Sequence, residues 1–386
     1  MRLQLILPRV DPQRVVRPMS CPHCGGRYLR LHQVVSKPLR DTVYPQVKAY
    51  RYQCLRCQRT WRIYPQGVSG SCSSQRVRGL AILLYLLGLS YGATSLALEA
   101  LGVYLCKTSV YEAVQAAAER VPGMRQGGVF GGIRTPALGA DVTTVRCGGK
   151  WLPLGLSVDD TTGLVLTVDG LPGEDTESLR AWLTPIVESV GAQLLVSDDA
   201  DAFKPVADGL DRLHQVCKRH VLDNTDALIE SLRPGVAQDL DGSLALIGLS
   251  GPEAVADLQQ LDTLIHSRQP EDVTELEHLF YRYAQAGAPR PGEHASLAYR
   301  IRLLFLDRWN LWPRLTRYRT WRGPEGQTIN GTNNCAERAI GWGIKERYRT
   351  MRGYKRTQSA VNVSRLLAWS GNYLDRGGAD LTLLIA

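Results

Sequence analysis

The sequence lacks an apolar run long enough to cross a bilayer. Its longest apolar stretch, Gly79 to Leu105, is interrupted by Gly88, Ser90, Gly92 and Glu99, whereas a membrane-spanning helix needs about 20 consecutive apolar residues. The N-terminus has no apolar core followed by a small-residue cleavage site, so we expect no secretory signal. Internal repeats and low-complexity tracts are also missing. These absences predict a folded protein without a membrane partner.

The sequence also lacks the even set of cysteines that is typical of a disulfide framework. It has nine cysteines, an odd number, and four of them stand in two Cys-x-x-Cys pairs. Disulfides are rare in reducing compartments, where such pairs are more often metal ligands or redox groups. The cysteine pattern therefore predicts a cytoplasmic protein.

Acidic residues are scarce in the N-terminal part of the chain. Residues 1–78 contain 15 Lys or Arg residues and only two Asp residues, while residues 79–299 contain 15 basic and 29 acidic residues. Residues 300–356 are basic again, with 14 Lys or Arg residues against four Asp or Glu residues. Two basic blocks around an acidic middle indicate polyanion-binding surfaces beside a carboxylate-bearing centre, and solvated basic faces without a partner are the alternative.

Two cysteine pairs, Cys21-Pro-His-Cys24 and Cys54-Leu-Arg-Cys57, have the spacing of a metal site. Four thiolates can close a tetrahedral Zn²⁺ site, and the role is structural because no position is left for a substrate. The long gap between the pairs suits a zinc ribbon over 21–65, after a basic lead-in over 1–20. Two unrelated cysteine pairs, one of them redox-active, are the alternative. The residues predicted to form a DNA-phosphate face beside the second pair are Arg51, Arg56, Arg59 and Arg62.

Residues 76–120 are predicted to form a helix-turn-helix. The leucines between Leu80 and Leu87 follow the spacing of one helix face. A second helix stops at Gly102, and Ser109 with Glu112 has the form of a capping box for a third. The residues predicted to contact DNA are Lys107, Thr108 and Tyr111. An ordinary three-helix packing unit is the alternative.

Strand signals follow a Gly- and Pro-rich linker at 127–137. The segments Ala137–Arg146, Trp151–Val158 and Leu164–Asp169 are separated by turn residues, so they predict an antiparallel meander. A helix, a short buried strand, a second helix and another short strand come next. This order is that of an RNase H-like fold, within the α/β class. The predicted boundaries are 137–225 for the first part of the core, 226–329 for an all-helical insertion and 330–375 for the C-terminal core helices.

Three acidic residues are candidates for one catalytic site. Asp141 lies inside a strand, where Asp is disfavoured, and Asp198 directly follows the apolar run Leu194-Leu-Val-Ser. Glu337 lies at the start of a late helix. Each has a simpler explanation, because Asp141 could be a strand-end residue and the other two could cap helices. Asp199 is the alternative to Asp198 as the second ligand.

The predicted sheet brings these carboxylates together. In an RNase H-like sheet the first and fourth strands are neighbours, so Asp141 and Asp198 should project to one place, where Glu337 could complete an oxygen cage. Mg²⁺ needs few protein carboxylates and fills its other positions with water and phosphate oxygens. Two such ions about 4 Å apart can activate an attacking hydroxyl and stabilise the leaving oxygen.

The motif series resembles a known family. Asp141-Val-Thr, Ser197-Asp198, Cys217-Lys-Arg-His220 followed by Asn224, and Asn333-Asn-Cys-Ala-Glu337-Arg338 are similar to the motifs of bacterial insertion-sequence transposases of the DDE class, related to eukaryotic Mutator-like elements. The N-terminal cysteine pairs and helix-turn-helix resemble those of some insertion-sequence branches. The similarity extends over nearly the whole chain and is weakest in 225–329.

The resemblance implies an RNase H-like core with two Mg²⁺ or Mn²⁺ ions at Asp141, Asp198 and Glu337. It implies a homodimer or larger assembly on double-stranded DNA, both element terminal repeats and target DNA, in the bacterial nucleoid. DNA cleavage and strand transfer are the expected activities. The alternatives are a catalytically inactive DNA-binding regulator derived from a transposase, and an RNase H-like nuclease without strand transfer.

Three further groups of residues have candidate roles in the site or in DNA binding. Cys217 and His220 could support the active site or contact DNA, and a buried thiol with a hydrogen-bonded imidazole is the alternative. Among Trp309, Trp312 and Trp321, one could stack on an unpaired base, and core packing is the alternative. The residues predicted to contact phosphates beside the glutamate are Arg338, Lys345, Arg347, Arg349, Arg352, Lys355 and Arg356.

Overall fold

The computed structural model describes residues 4–121, 132–349, 353–374, 378–380 and 385. Within these ranges the chain is a mixed α/β protein, which confirms the predicted fold class. Its strands form a two-stranded pair, a three-stranded sheet and a five-stranded sheet. Over the same ranges, none of the helices has both the length and the apolar content for a membrane span. The predicted linker at 127–137 lies partly outside the described residues.

The three-stranded sheet carries the N-terminal cysteine pairs. Its strands β2 (Leu29–Pro38), β3 (Gln46–Cys54) and β4 (Thr60–Ile63) pair antiparallel in chain order. The sequence predicts strand-like pieces at Val43–Tyr52 and Thr60–Tyr64, close to β3 and β4, and none at β2. Most side chains of β2 are exposed, so this strand has none of the alternating burial that reveals a strand in a sequence.

The expectation of an irregular lead-in over 1–20 is wrong at β1 (Gln4–Ile6). This strand pairs in parallel with β10 (Gly378–Asp380), in a register that matches Gln4 with Gly378. A partner so distant in the chain leaves no local signal in the sequence.

Three helices follow the N-terminal sheet and share a small apolar core. They are α1 (Gln75–Leu86), α2 (Tyr91–Ala100) and α3 (Lys107–Glu119). Serine hydroxyls cap the first two, since Ser74 Oγ accepts from Val77 N and Ser90 Oγ from Ala93 N, each at 3.1 Å. The predicted capping box at Ser109 is wrong.

The third helix begins two residues before Ser109, directly after Cys106, and it has no side-chain cap. Ser109 therefore lies in its first turn, where its Oγ is 3.2 Å from the Sγ of Cys106. The capping-box pattern in the sequence was coincidental, because a cap needs non-helical backbone at the capping residue.

The five-stranded sheet has the order β7-β6-β5-β8-β9. The first three strands in the chain are antiparallel, while β8 pairs in parallel with both β5 and β9. This arrangement confirms the predicted meander followed by two short strands. The strands are β5 (Ala137–Cys147), β6 (Lys150–Asp159), β7 (Leu164–Gly170), β8 (Leu194–Ser197) and β9 (Leu213–Val216).

Helices cover this sheet and form the largest core with it. Trp182 of α4 (Thr176–Val190) lies against β6 at Gly155, where a Cβ would come within 2.8 Å of the indole ring. Only glycine therefore allows this approach. On the edge strand, the side-chain amide of Asn372 accepts from the N–H of Val165 and donates to its carbonyl, each at 2.8 Å. The other covering helices are α5 (Phe203–Gly209) and α14 (Thr357–Leu374).

The region between β9 and the late helices is helical, as predicted, and has its own apolar core. Arg308 is buried there and its Nε donates to Thr225 Oγ1 at 2.8 Å. The region contains one 3₁₀ turn at Pro270–Asp272. Its helices are α6 (Lys218–Ala237), α7 (Ser243–Leu246), α8 (Gly251–Ser267), α9 (Val273–Arg282), α10 (Leu297–Leu315) and α11 (Arg317–Thr320).

The prediction of one regular helix from Asn334 to Arg349 is wrong in its middle. The structure has α12 (Asn334–Ile340), a π-helical turn (Gly341–Lys345) and α13 (Glu346–Arg349). Two glycines, at 341 and 343, weaken the α-helix at this point. The offset of Asn334 and Glu337 also forms no capping box, because the helix is preceded by Asn333.

Arg347 attaches α13 to the helical unit near the N-terminus. It is buried, its guanidinium donates to the carbonyls of Gly88 and Leu89 at 2.6 and 2.7 Å, and it lies over the ring of Tyr85. Arg347, which was predicted to bind DNA phosphates, is thus buried with guanidinium N–H groups bonded to the turn between α1 and α2.

We expect Arg347→Ala to lower the free energy of unfolding by about 1.5–3 kcal/mol, because charged hydrogen bonds to two carbonyls are lost. Chemical denaturation followed by circular dichroism measures this change. Lys355→Ala is the control, since that side chain is exposed and its removal should change stability by less than about 0.5 kcal/mol. Equal stability of the two variants would contradict the assigned role.

Candidate functional site

Cys21, Cys24, Cys54 and Cys57 form a four-sulfur cluster that can bind a metal ion such as Zn²⁺. Their Sγ atoms all lie within 4.8 Å of one another. The Sγ atoms of Cys21 and Cys57 are 3.7 Å apart, as are those of Cys24 and Cys54. Four sulfurs at a Zn–S distance of about 2.3 Å in a tetrahedron stand about 3.8 Å apart. The cluster therefore has the dimensions of a zinc–thiolate site.

The two cysteine pairs sit on matching backbone turns. Gly25 N donates to Cys21 O, and Gln58 N donates to Cys54 O, both at 2.9 Å. The residues at these equivalent positions have positive φ angles, 70° for Gly25 and 60° for Gln58. Gly26 is also required, because a Cβ there would stand 3.3 Å from the sulfurs of both Cys24 and Cys54. The backbone is thus shaped around the sulfurs.

The turn around the second pair favours a thiolate. The backbone N–H of Cys57 points at the sulfur of Cys54 and lowers the pKa of that thiol to about 7. Thiolates are the form of cysteine that binds metals. Burial and the neighbouring sulfurs raise the pKa of the Cys57 thiol to about 11, so among this pair the N–H groups favour the thiolate at Cys54.

Asp141 and Asp198 occupy matching positions on neighbouring strands. Gly139 of β5 pairs with Val196 of β8 in a parallel ladder, and each aspartate lies two residues further along its own strand direction. Side chains two residues apart on a strand point to the same face. Asp198 follows the last residue of β8, where the backbone leaves the sheet.

Burial and nearby negative charges hold the pKa of Asp141 far above the usual value. Burial has the largest effect, and together with the charges of Asp198 and Glu337 it raises this pKa to about 7. The N–H of Val142, which donates to its Oδ1 at 2.7 Å, and the charge of Lys345 lower the pKa and offset part of this effect. Asp141 thus lies among negative charges that too little positive charge balances, a state that a divalent cation would relieve.

Glu337 is close enough to Asp141 to influence its pKa, but its nearest candidate metal ligands are Cys217 and His220. Ligand atoms of Glu337, Cys217 and His220 all lie within 4.8 Å of one another. Asp141, Asp198 and Glu337 do not form such a group. The structure therefore brings the three predicted carboxylates into one neighbourhood without gathering them around a single point.

Asp199 has partners of its own. Its carboxylate is 3.3 Å from Lys204 Nζ and accepts from Asn224 Nδ2 at 3.2 Å. The charge of Asp199 is therefore already balanced by a lysine. Asp198 has no such ion pair among the described residues, and its Oδ1 accepts only from Ala200 N at 3.2 Å. These contacts favour Asp198 as the second ligand.

A buried hydrogen-bond chain supports the backbone at Asp198. Ser197 Oγ lies 2.9 Å from His214 Nε2 and 2.9 Å from the carbonyl of Asp198. His214 Nδ1 lies 3.0 Å from Arg314 Nη1, and Arg314 forms two hydrogen bonds with Asp208. Burial and the neighbouring arginine lower the pKa of His214 to about 3, so its ring is neutral.

The direction of these hydrogen bonds follows from their donors. Arg314 can only donate, so Nδ1 of the neutral His214 accepts and its proton is on Nε2. That N–H then donates to Ser197 Oγ, whose own hydroxyl donates to the Asp198 carbonyl. An arginine of α10 thus fixes the strand end that carries Asp198. Neither Arg314 nor His214 was selected from the sequence for a role at this strand end.

The predicted DNA-contacting residues fall into two groups. Tyr111 is half-buried, and its hydroxyl lies 3.0 Å from Ser359 Oγ, so it helps to pack α3 against α14. Arg352 and the side chain of Arg349 lie outside the described part of the structure. The residues that remain exposed are Lys107, Thr108, Arg338, Lys345, Lys355 and Arg356.

The tryptophans singled out in the sequence serve mainly as packing residues. Trp312 and Trp321 are buried, and Trp309 is half-buried against Phe280. Trp342, by contrast, is 83% exposed on the π-helical turn. It lines a cleft of about 430 Å³ together with Arg338 and residues of α14. Trp342 was not selected from the sequence, because a regular helix was predicted there. The π-helical turn changes which side chains face the solvent.

Asp160 is a half-buried carboxyl that was not selected from the sequence. It lies in the turn after β6, against Gly139, and burial raises its pKa to about 6. The thiol of Cys335 donates to the backbone carbonyl oxygen of Asp160 at 3.5 Å. An Asp-Asp-Thr-Thr-Gly sequence is typical of an exposed turn, so no local signal indicated that this side chain is partly buried.

Comparison with known proteins does not place the chain in a family. It matches no protein-family model, and a search of the curated proteins finds no relative.

We expect the protein to contain zinc bound by the four-cysteine cluster. Cys24→Ser should remove that ion, because three thiolates and a hydroxyl hold Zn²⁺ far less tightly, and it should also destabilise the N-terminal sheet. Zinc analysis by mass spectrometry of the purified protein measures the loss. Cys72→Ser is the control, since Cys72 is exposed and outside the cluster. Equal zinc content in both variants would exclude the cluster as a zinc site.

The raised pKa of Asp141 predicts a pH-dependent stability in metal-free protein. Between pH 4 and 7 the unfolded chain ionises this carboxyl while the folded chain still binds the proton, so stability falls as pH rises. At pH 8 Asp141→Asn should therefore be more stable than the wild type by about 1–3 kcal/mol. Thermal unfolding at pH 4.5 and 8 measures the difference, which should shrink at the lower pH and on addition of Mg²⁺.

Proposed function

We propose that the chain is a DDE transposase that cuts DNA at the ends of an insertion sequence and joins the freed ends to a target. The observation that carries the proposal is the position of Asp141 and Asp198 at matching places on two adjacent parallel strands, with Glu337 near enough to raise the pKa of Asp141. The resemblance of the surrounding motifs to transposases gives these carboxylates their assigned role.

The order and pairing of the five-stranded sheet support an RNase H-like catalytic core. Three antiparallel strands come first, and the fourth strand joins the first in parallel, which makes β5 the central strand. The helical region between β9 and α12 then corresponds to the insertion. After the insertion the chain forms α12, which lies beside β5 and β6. Glu337 on this helix would then reach the end of the sheet where Asp141 and Asp198 lie.

The donor set fits Mg²⁺ or Mn²⁺, because these hard cations prefer carboxylate oxygens. Asp141, Asp198 and Glu337 would hold two ions, which supply electrostatic stabilisation of the transferring phosphate and lower the pKa of a bound hydroxyl nucleophile. The three carboxylates do not gather around one point, and a pair of ions needs ligands spread over a longer distance than one ion does.

The surrounding residues support the handling of a phosphodiester. The exposed cations Arg338 and Lys345 lie on the same segment as Glu337, so they can bind phosphates on either side of the scissile bond. The chain from Arg314 through His214 to Ser197 keeps the backbone at Asp198 in place. Hydrolysis by water would free a 3′-hydroxyl, and attack of this hydroxyl on target DNA would join the strands.

The N-terminal part would select the DNA. We assign the four-cysteine cluster and its sheet as a structural zinc ribbon and α1–α3 as a helix-turn-helix. Lys107 and Thr108 are exposed at the start of α3, where they can reach the DNA backbone, whereas Tyr111 packs inside the protein. By resemblance, a dimer or larger assembly would hold the two terminal repeats on double-stranded DNA.

Substitution of the carboxylates tests this proposal. Asp141→Asn, Asp198→Asn and Glu337→Gln should each reduce Mg²⁺-dependent cleavage of a labelled duplex by roughly 100-fold or more, because each removes a charge that holds the ions. The duplex should carry the inverted repeats that flank the gene. Gel-shift binding to the same duplex in Ca²⁺ should be unchanged.

Glu230→Gln is the matched control, because Glu230 is exposed on the helix that also carries His220, and it should cleave like the wild type. A fully active Glu337→Gln variant would remove Glu337 as a ligand. Wild-type protein that binds the repeats without cutting them would be a regulator, and protein that cuts without giving strand-transfer products would be a nuclease.

A further inference from the structure

A second cluster of possible metal ligands lies at the junction of α6 and α12. Cys217 is the residue before α6, His220 lies in the first turn of that helix, and Glu337 lies on α12. Ligand atoms of all three are within 4.8 Å of one another. The sequence offers no second ligand pair close to Cys217 and His220, because the third member comes from a helix more than 100 residues away.

The distance between two of these ligand atoms is that expected for ligands to one ion. His220 Nδ1 and Glu337 Oε1 are 3.6 Å apart. In a tetrahedral zinc site with Zn–N and Zn–O distances of about 2.0–2.1 Å, the two ligand atoms stand about 3.4 Å apart. A closer approach would make a direct hydrogen bond, and the recorded distance is too long for one.

One ring nitrogen of His220 is left unsatisfied without an ion. His220 Nδ1 is buried and has no hydrogen-bond partner in the described structure. The thiol of Cys217 is fully buried, and the backbone N–H groups of Asn333, His220 and Arg219 are directed at its sulfur. Burial nevertheless raises the pKa of this thiol above its usual value, so a cation beside the sulfur would be needed to hold it as the thiolate.

We propose that Cys217, His220 and Glu337 bind a divalent transition-metal ion of the zinc type, separate from the four-cysteine site. A thiolate, an imidazole and a carboxylate together select Zn²⁺ over Mg²⁺ or Ca²⁺, which bind through oxygen. Three protein ligands leave one coordination position for water or a phosphate oxygen. His220 and Glu337 are each about two-fifths exposed, so the ion can enter from solvent.

This site would connect the helical region to the late helices. The ion would tie the start of α6 to α12 and so restrict where the Glu337 side chain can go. The proposal does not rest on the proposed transposase function, because it depends only on the three ligands and their distances. It can therefore fail or succeed whether or not the protein cuts DNA.

Metal content of variants of the full-length protein tests the proposal. Wild type, Cys217→Ser, His220→Ala and Cys335→Ser are loaded with ZnCl₂ under reducing conditions, passed over a desalting column and analysed for zinc per chain. Cys217→Ser and His220→Ala should each contain one ion fewer than wild type. Cys335→Ser is the matched control, since Cys335 lies on α12 two residues from Glu337 and outside the cluster, and it should keep the wild-type content.

A second readout identifies the ligand type. With Co²⁺ in place of Zn²⁺, the absorption from thiolate-to-metal charge transfer should be weaker in Cys217→Ser than in wild type, and unchanged in Cys335→Ser. Wild-type zinc content in both Cys217→Ser and His220→Ala overturns the proposal. If Cys217→Ser does not fold, the partly exposed His220→Ala variant still decides the outcome. None of these measurements uses DNA cleavage, so an inactive protein leaves the result unaffected.

Discussion

The parallel pairing of β5 with β8 determines where Asp141 and Asp198 lie. A single ladder register, Gly139 with Val196, gives the two aspartates matching positions although 57 positions separate them in the sequence. A shift of the pairing by one residue would turn one of them to the opposite face of the sheet. Leu194, Leu195 and Val196 are buried, so both faces of β8 are covered, and the close packing of these side chains opposes such a shift.

The helical region between β9 and α12 does more than separate Asp198 from Glu337 in the sequence, because it also contacts the elements that carry them. It sends Arg314 back to the sheet, where the guanidinium fixes the tautomer of His214 and, through it, the loop after β8. It also begins with Cys217 and His220, which face α12. The contact of Arg314 with His214 joins the helical region to the loop that carries Asp198, and Cys217 with His220 joins it to the helix that carries Glu337. A change in the packing of these helices would therefore alter the geometry of the acidic site.

Much of the fold was accessible from the sequence, and the exceptions have physical causes. The meander, the short buried strands and the four-cysteine cluster were predicted because they depend on local alternation, turn residues and short spacings. Strand β2 and the parallel pair β1–β10 were missed, since an exposed strand and a distant partner leave no periodic signal. Arg347 and Tyr111 were predicted to contact DNA from charge and position in the sequence. Their hydrogen bonds to the α1–α2 turn and to Ser359 depend on tertiary structure, which the sequence does not reveal. His214 and the grouping of Glu337 with Cys217 depend on elements that meet only in three dimensions.

The pairing of β1 with β10 has a consequence for biosynthesis. The first strand has no described partner other than residues 378–380, and Ile385 packs where Leu7 and Pro8 approach Gly79. At ribosomal speeds of about 5–20 residues per second, β1 waits on the order of tens of seconds for its partner to be made. During that interval its edge is open to the β10 segment of a neighbouring chain. Polysomes translating this message are thus a setting in which β1 of a growing chain can pair with the β10 segment of a copy that has already been synthesised through residue 380.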